Sequence, residues 1–374
     1  MNLRHLDILR ASLALMVLIG HARMMLWTGW QDWRAESHES WETVVVVLFS
    51  GFRYGHEAVI VFFALSGFFI HWRAATAWAQ GTKVRFHSAE YLGRRARRIL
   101  PPFYAVLVFT VVLDLIGRQW WPTLYLARTG DVLLDSNFSD AGYGWKAVAP
   151  ALLAQPNLFG IRFGGNGPLW SIGHEVFYYL LYPMFMTLWQ RHRLVAYGAG
   201  MSAGVACSFA PLAGWWSGMV AAYPIWLAGA LMAEWLATWR VPASGRCWAW
   251  ATGFVLSLGA LAGLHWVTEP SLISLGLNMV MGMAAIAAFA WMPFDLTHLK
   301  PGRWLEWLGI RSYSIYIFHF PVLVLLSAWC IQTTGGRPLH GWLAAFGAAL
   351  SLGTGLLAFH LVVRHFLPKR LQPV

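Results

Sequence analysis

Runs of about 20 apolar residues recur along the whole of this chain, and they constrain its fold more than any other feature. Hydrocarbon offers no water to satisfy a backbone N–H or C=O, so such a run crosses a bilayer only as a helix or as part of a closed barrel. Barrel strands are about half as long and alternate in polarity, which leaves the helix. The runs lie at 6–26, 54–72, 99–117, 168–189, 194–212, 216–238, 247–266, 271–293, 312–330 and 341–363. The chain is therefore expected to be all-α, a polytopic helical membrane protein of about ten transmembrane helices, forming one membrane domain over 1–374. Composition agrees: 58% of the 374 residues are hydrophobic and 11% charged, with mean hydropathy +0.52. That is too little charged surface for a soluble chain. The first run is too long for a cleavable signal peptide, carries Arg10, and is followed by no small-residue cleavage site.

Two shorter apolar pieces, "WETVVVVLF" (41–49) and "AVAPALLAQPNLFG" (147–160), are too short to cross and are expected at the interface or folded back. The stretch 118–166 is too short and too aromatic for a separate catalytic domain. Cys207, Cys247 and Cys330 lie in predicted spans without metal-ligand spacing and are expected to be buried small side chains. No glycine-rich phosphate loop or zinc motif is present, and no metal is expected. Orientation follows from the basic residues, which collect on the cytoplasmic side of membranes. With both termini cytoplasmic, 19 of the 27 Lys and Arg residues fall inside, seven of them within 73–98. Asp32, Glu36, Glu39 and Glu42 crowd the first outer loop, where Arg34 also lies. The net charge of +11 follows from this asymmetry and implies no nucleic-acid partner.

Ionisable residues within spans are costly, so each is a candidate for function. Arg10 and His21 are eleven residues apart in the first span. That is three turns plus roughly 20°, which puts both on one helix face, ~17 Å apart along the axis. Arg10 falls near the cytoplasmic surface, where it can also snorkel, and His21 in the outer half. Glu175, in "NGPLWSIGHEVFYYLLYP" (166–183), lies ~10 Å below the outer end of its helix, at the depth expected for His21. A carboxylate at that depth can orient an imidazole and raise its basicity, or it can be an ion pair with His174 or Arg162. In the loop "EYLGRRARRILPPFY" (90–104), Arg94, Arg95, Arg97 and Arg98 stand at the inner mouth of the third span. Arg95 and Arg98 share a helical face, and clustered guanidiniums bind phosphates well. Topology and anionic lipid place arginines there too. Ser66 and Gly67, mid-span, are read as small residues permitting close packing. Ser312, Ser314, Tyr316 and His319 are assigned to a span's cytoplasmic half, as pore lining or interhelical hydrogen bonds.

These residues, taken in order, resemble the acyltransferase family 3 membrane O-acyltransferases, which modify bacterial surface polysaccharides and related acceptors. The opening "LDILRASLALMVLIGHA" has the family's Arg and His spacing at Arg10 and His21. "FFALSGFFI" (62–70) matches the second-span motif, and "RRARRILPPFY" supplies Arg95 and Arg98 before Ile-x-Pro. "WSIGHEVFYYLLYP" puts Glu175 on the family's Glu, and "SYSIYIFHFPV" resembles the closing-half motif. The chain departs from many members at Val176, where they carry a second acid, and at Ile60 and Val61, where they carry a polar residue.

The resemblance implies an acyl-CoA donor, usually acetyl-CoA, and a sugar hydroxyl on a glycan or lipid-linked acceptor at a bacterial inner membrane. His21 would be the general base, or alternatively the site of a transient acyl-imidazole, with Glu175 and Arg10 as catalytic partners. Arg95, Arg98 and Arg94 would hold the donor's phosphates, and membrane lipids would surround the helices. The competing class is a transporter or exporter of an anionic or acylated metabolite, which ten helices with intramembrane charge also suit. Against it, no pair of Gly/Pro-broken helices occupies corresponding halves of the chain.

Overall fold

A computed structural model describes residues 3–29, 33, 43, 46–47, 49–209, 216–239, 241–267 and 271–367. Among the described residues, ten long helices occupy the ten predicted spans: α1 Arg4–Leu26, α2 Gly55–Ala79, α3 Ser88–Trp120, α4 Trp170–Arg191, α5 Arg193–Phe209, α6 Trp216–Thr238, α7 Arg246–Trp266, α8 Leu272–Ala290, α9 Lys300–Thr334 and α10 Trp342–Leu361. Eight of these are long and apolar enough to cross a membrane. The other two are α4, whose apolar run is diluted by His174, Glu175 and four tyrosine or proline positions, and α5, described over 17 residues. The protein is an integral, multi-pass, helical membrane protein. Residues Asp32, Arg34, Glu36, Glu39 and Glu42, most of the 41–49 piece, and both chain ends expected in the cytoplasm lie outside the described residues.

Two compact units account for the chain. One comprises Met1–Leu13, Glu57–Arg95 and His174–Gly309. Its centre is the approach of α2 to α6. A Cβ on Gly67 would collide with the Trp226 carbonyl, and one on Gly229 with the Ala64 carbonyl, so only glycine lets the two backbones meet. At the rim α7 buries only Gly253 and Ala260 and turns Trp248, Phe254, Val255 and Leu258 outward, the pattern of a helix whose solvent is lipid. Cys247, at the start of α7, is exposed for the same reason rather than buried as expected, whereas Cys207 and Cys330 are buried and all three are free thiols.

The other unit comprises Ala14–His56, Ala96–Gly173 and Ile310–Val374. Its interior is α9, almost wholly covered from residue 314 to 324, with Gly355 of α10 closing on the backbone of Ile315. Between α3 and α4 the chain makes short helices at Pro122–Tyr125, Val132–Phe138 and Trp145–Leu152, all too short to span, as expected for 147–160. The Asp131 carboxylate starts the second of them by accepting from the Leu133 and Leu134 N–H groups. Strands β1 (Ala141–Gly142) and β2 (Arg162–Phe163) pair in parallel, Ala141 with Arg162 and Gly142 with Phe163. The following Gly164 has φ +54°, and a side chain there would strike the Tyr143 hydroxyl and the Asp114 carboxylate.

Candidate active site

His21 on α1 meets His319 on α9. Nδ1 of His21 lies 2.8 Å from Nε2 of His319. The rings are nearly parallel, at 13° with centroids 5.1 Å apart, and Phe320 sets its edge against His21 at 5.0 Å. One acceptor fixes the protons of both rings. Nδ1 of His319 is 2.6 Å from the Tyr316 carbonyl oxygen, which can only accept, so that nitrogen carries the proton. In the neutral ring Nε2 of His319 is then an acceptor, and Nδ1 of His21 donates to it. The lone pair on Nε2 of His21 is left unspent by the pair. Supporting bonds surround the arrangement. Ser351 Oγ donates to the His319 carbonyl at 3.1 Å, and the Tyr316 and Ser171 hydroxyls meet at 2.7 Å. Ser312, Ser314, Tyr316 and His319, expected in a span's cytoplasmic half, all lie on α9. Because α9 begins at Lys300 rather than near 312, His319 stands mid-helix.

Glu175 belongs to the first unit. Its Oε1 accepts from Ser66 Oγ at 3.1 Å and from the Tyr179 phenol one turn along α4. Trp226 Nε1 donates in turn to Ser66 Oγ at 3.3 Å. Arg162, one alternative partner for this carboxylate, donates to the Asn137 carbonyl and side chain. Ser66, read from sequence as a packing residue, is a direct partner of the acid, and the close packing is done by its neighbour Gly67.

The segment 90–104 is not a loop. α3 starts at Ser88, so Arg94, Arg95, Arg97 and Arg98 all ride on a helix. The Arg95 guanidinium lies against Tyr91 and Tyr179, 5.6 and 5.7 Å from their ring centroids, and its buried Nε has no partner among the described residues. Arg94 pairs with Glu90 at the surface, one turn earlier, and Arg98 is half-buried. Arg10 pairs with Asp7 at 3.2 Å and lies over Phe69 at 5.6 Å.

Two buried acids escaped the sequence reading. Glu234 on α6 accepts from His71 Nε2 at 3.0 Å, Trp189 Nε1 at 2.6 Å, Tyr197 Oη at 2.8 Å and Arg193. His71 Nδ1 faces Tyr182 Oη at 3.1 Å. A cavity of about 420 Å³ opens beside Glu234 between Trp78, Arg193, Trp235 and Met283. In the other unit, Asp114 on α3 accepts from the Tyr143 phenol at 2.7 Å and the Gly165 N–H at 2.6 Å. Both acids fall inside predicted spans, so the rule that singled out Glu175 also points to them.

A family model described as "Acyltransferase domain" matches residues 3–358. The chain belongs to this acyltransferase family. The putative peptidoglycan O-acetyltransferase YrhL of Bacillus subtilis is 27% identical over 299 residues, covering 72% of this chain and 44% of the relative. The peptidoglycan O-acetyltransferase OatA of Listeria monocytogenes is 24% identical over 300 residues, covering 74% and 46%. The putative membrane-bound transacylase BcsY of Komagataeibacter xylinus is 27% identical over 345 residues, covering 86% and 79%. The chain thus spans less than half the length of the first two. No solved structure matches it.

Proposed function

We propose that the chain transfers an acyl group, acetyl in the first instance, from acyl-CoA in the cytoplasm to a hydroxyl of an extracytoplasmic or lipid-linked glycan at a bacterial inner membrane. The observation that carries the proposal is Nε2 of His21, which has no partner among the described residues and is held in one tautomer through His319 and the Tyr316 carbonyl. That nitrogen takes the proton of the acceptor hydroxyl as the oxygen attacks the thioester carbonyl. The carbon–sulfur bond breaks, and the imidazolium returns the proton to the leaving thiolate, so CoA departs as a thiol and the glycan as an ester. Charge that develops on His21 is relieved through its Nδ1–H into His319. In a covalent variant of the same chemistry, Nε2 takes the acyl group first and the hydroxyl then attacks it.

Arg95 is assigned to a phosphate of the donor. Two phenol rings hold its guanidinium in place, and Nε remains to donate. Arg98, Arg94 and Arg10 are assigned supporting parts in donor binding, and Glu175 a part in proton handling through Tyr179 and Ser66. Radiolabelled acetyl-CoA given to the purified chain in lipid vesicles, with a glycan acceptor present, tests the proposal. Label appearing as a glycan ester supports it, and label accumulating inside the vesicles without ester formation overturns it in favour of transport.

A further inference from the structure

Pro321 lies within α9, two residues after His319. A proline has no N–H, so the carbonyl four residues earlier, that of Ile317, loses its helical partner. A bare carbonyl in an apolar interior is costly. Here it is met from outside the helix: Asn166 Nδ2 donates to the Ile317 carbonyl at 3.3 Å and to Thr110 Oγ1 on α3 at 3.1 Å. Chemistry dictates the orientation of the amide, because only its NH₂ end can face a carbonyl. Asn166 is 2% exposed, and its Oδ1 meets no donor among the described residues. A buried amide that leaves its own oxygen unpaired is a poor choice unless its donor end is needed. The backbone it grips is the one that matters to the histidine pair. Ile317 follows Tyr316, whose carbonyl takes the His319 Nδ1 proton and so sets the tautomer of both rings.

We propose that Asn166 is a positioning residue whose amide replaces the N–H that Pro321 lacks, and that by holding the 316–319 backbone it keeps His319 Nε2 turned to His21. The proposal rests on the acyl-transfer reading only for its activity readout. The test uses the whole chain described above, labelled with ¹⁵N-histidine, whose imidazole nitrogen shifts report protonation and hydrogen bonding. The signals of interest are assigned through His21→Gln and His319→Gln. Asn166→Leu keeps the bulk but removes the donor. Like Asn166→Ala, it is expected to shift the His21 and His319 signals and to lower kcat ~10-fold or more, with KM for the donor little changed.

The deciding variant is Pro321→Ala, which gives residue 321 an N–H for the Ile317 carbonyl. In the Asn166→Ala background it should restore both histidine signals and most of the lost kcat. Wild-type signals in Asn166→Ala, or no restoration by Pro321→Ala, would overturn the proposal. Should Asn166→Ala fail to accumulate in the membrane, rescue of accumulation by Pro321→Ala supports the proposal and failure of rescue overturns it. A wild-type chain without acyl transfer sinks the functional reading alone and leaves the spectroscopic comparison to decide this one.

Discussion

His71 and His21 are both histidines on apolar helices, one in each unit, and their surroundings differ in kind. His71 is fully buried and spends both nitrogens, one on Glu234 and one on the Tyr182 phenol. Glu234 is saturated in the same way, by an imidazole, an indole, a phenol and a guanidinium from α2, α4 and α5. Such a hub ties helices together and has no capacity left for a substrate. His21 has no carboxylate on its Nδ1. Its one described hydrogen bond ends, through His319, on a backbone carbonyl, and its second nitrogen has no partner among the described residues. Ionisable groups inside a membrane protein are thus of two kinds, distinguished by whether their bonding capacity is used up. Burial alone does not separate them.

The contrast breaks most sharply at His21. His21→Ala should lower acyl transfer ~10³-fold, measured with labelled donor, while accumulation in the membrane and thermal unfolding stay close to wild type. Loss of folding together with activity would make His21 another structural hub. Glu234→Ala should do the reverse. Removing one member of a buried ionic network costs about 3 kcal/mol or more, visible as a lower unfolding temperature in detergent, with activity per folded molecule largely kept. At His319 the acceptor role can be isolated. Glutamine can still accept from His21 Nδ1 and leucine cannot, so His319→Gln should lose roughly 10-fold and His319→Leu nearer 100-fold. Equal losses would remove the tautomer relay from the mechanism.

The smallest effect is expected at Asp135, a saturated carboxylate in the segment between α3 and α4. Desolvation, the largest single influence, raises its pKa, but the Thr129 hydroxyl and the Thr129 and Gly130 N–H groups together outweigh this and hold it below the usual aspartate value. A folded value below the unfolded one gives stability that is complete above the unfolded value and fades as pH falls through the folded one. The wild-type protein should therefore be slightly more stable than Asp135→Asn near neutral pH, with the difference closing on acidification. Thermal unfolding at several pH values reads it. A difference as large as that at Glu234 would mean that saturation matters more than burial.

Much of the molecule is legible in its sequence. Every predicted span is a helix, although α3 and α9 begin eleven and twelve residues before their predicted starts at 99 and 312, at Ser88 and Lys300. The extensions were missed because they carry charge, Arg94 to Arg98 in one and Lys300, Arg303 and Glu306 in the other. Hydropathy follows the bilayer, whereas the helix continues wherever its backbone bonds can be made. Arg10, His21 and Glu175 stood out because charge inside an apolar run is conspicuous. Glu234 and Asp114 were equally conspicuous and were passed over, while Ser66 and Asn166 give no such signal at all.

The amino-acid order by itself determined the class of fold and the position of each span, because a hydrocarbon solvent leaves a long apolar segment only the helix. It also placed Arg10 and His21 on one face of one helix, since 3.6 residues per turn is a local rule. Only the tertiary structure decided which groups meet. His319 reaches His21 across 298 residues, Asn166 reaches Ile317 across 151 and Ser66 reaches Glu175 across 109. Hydrogen bonds made between helices depend on packing and rotation, which no spacing within a single helix encodes.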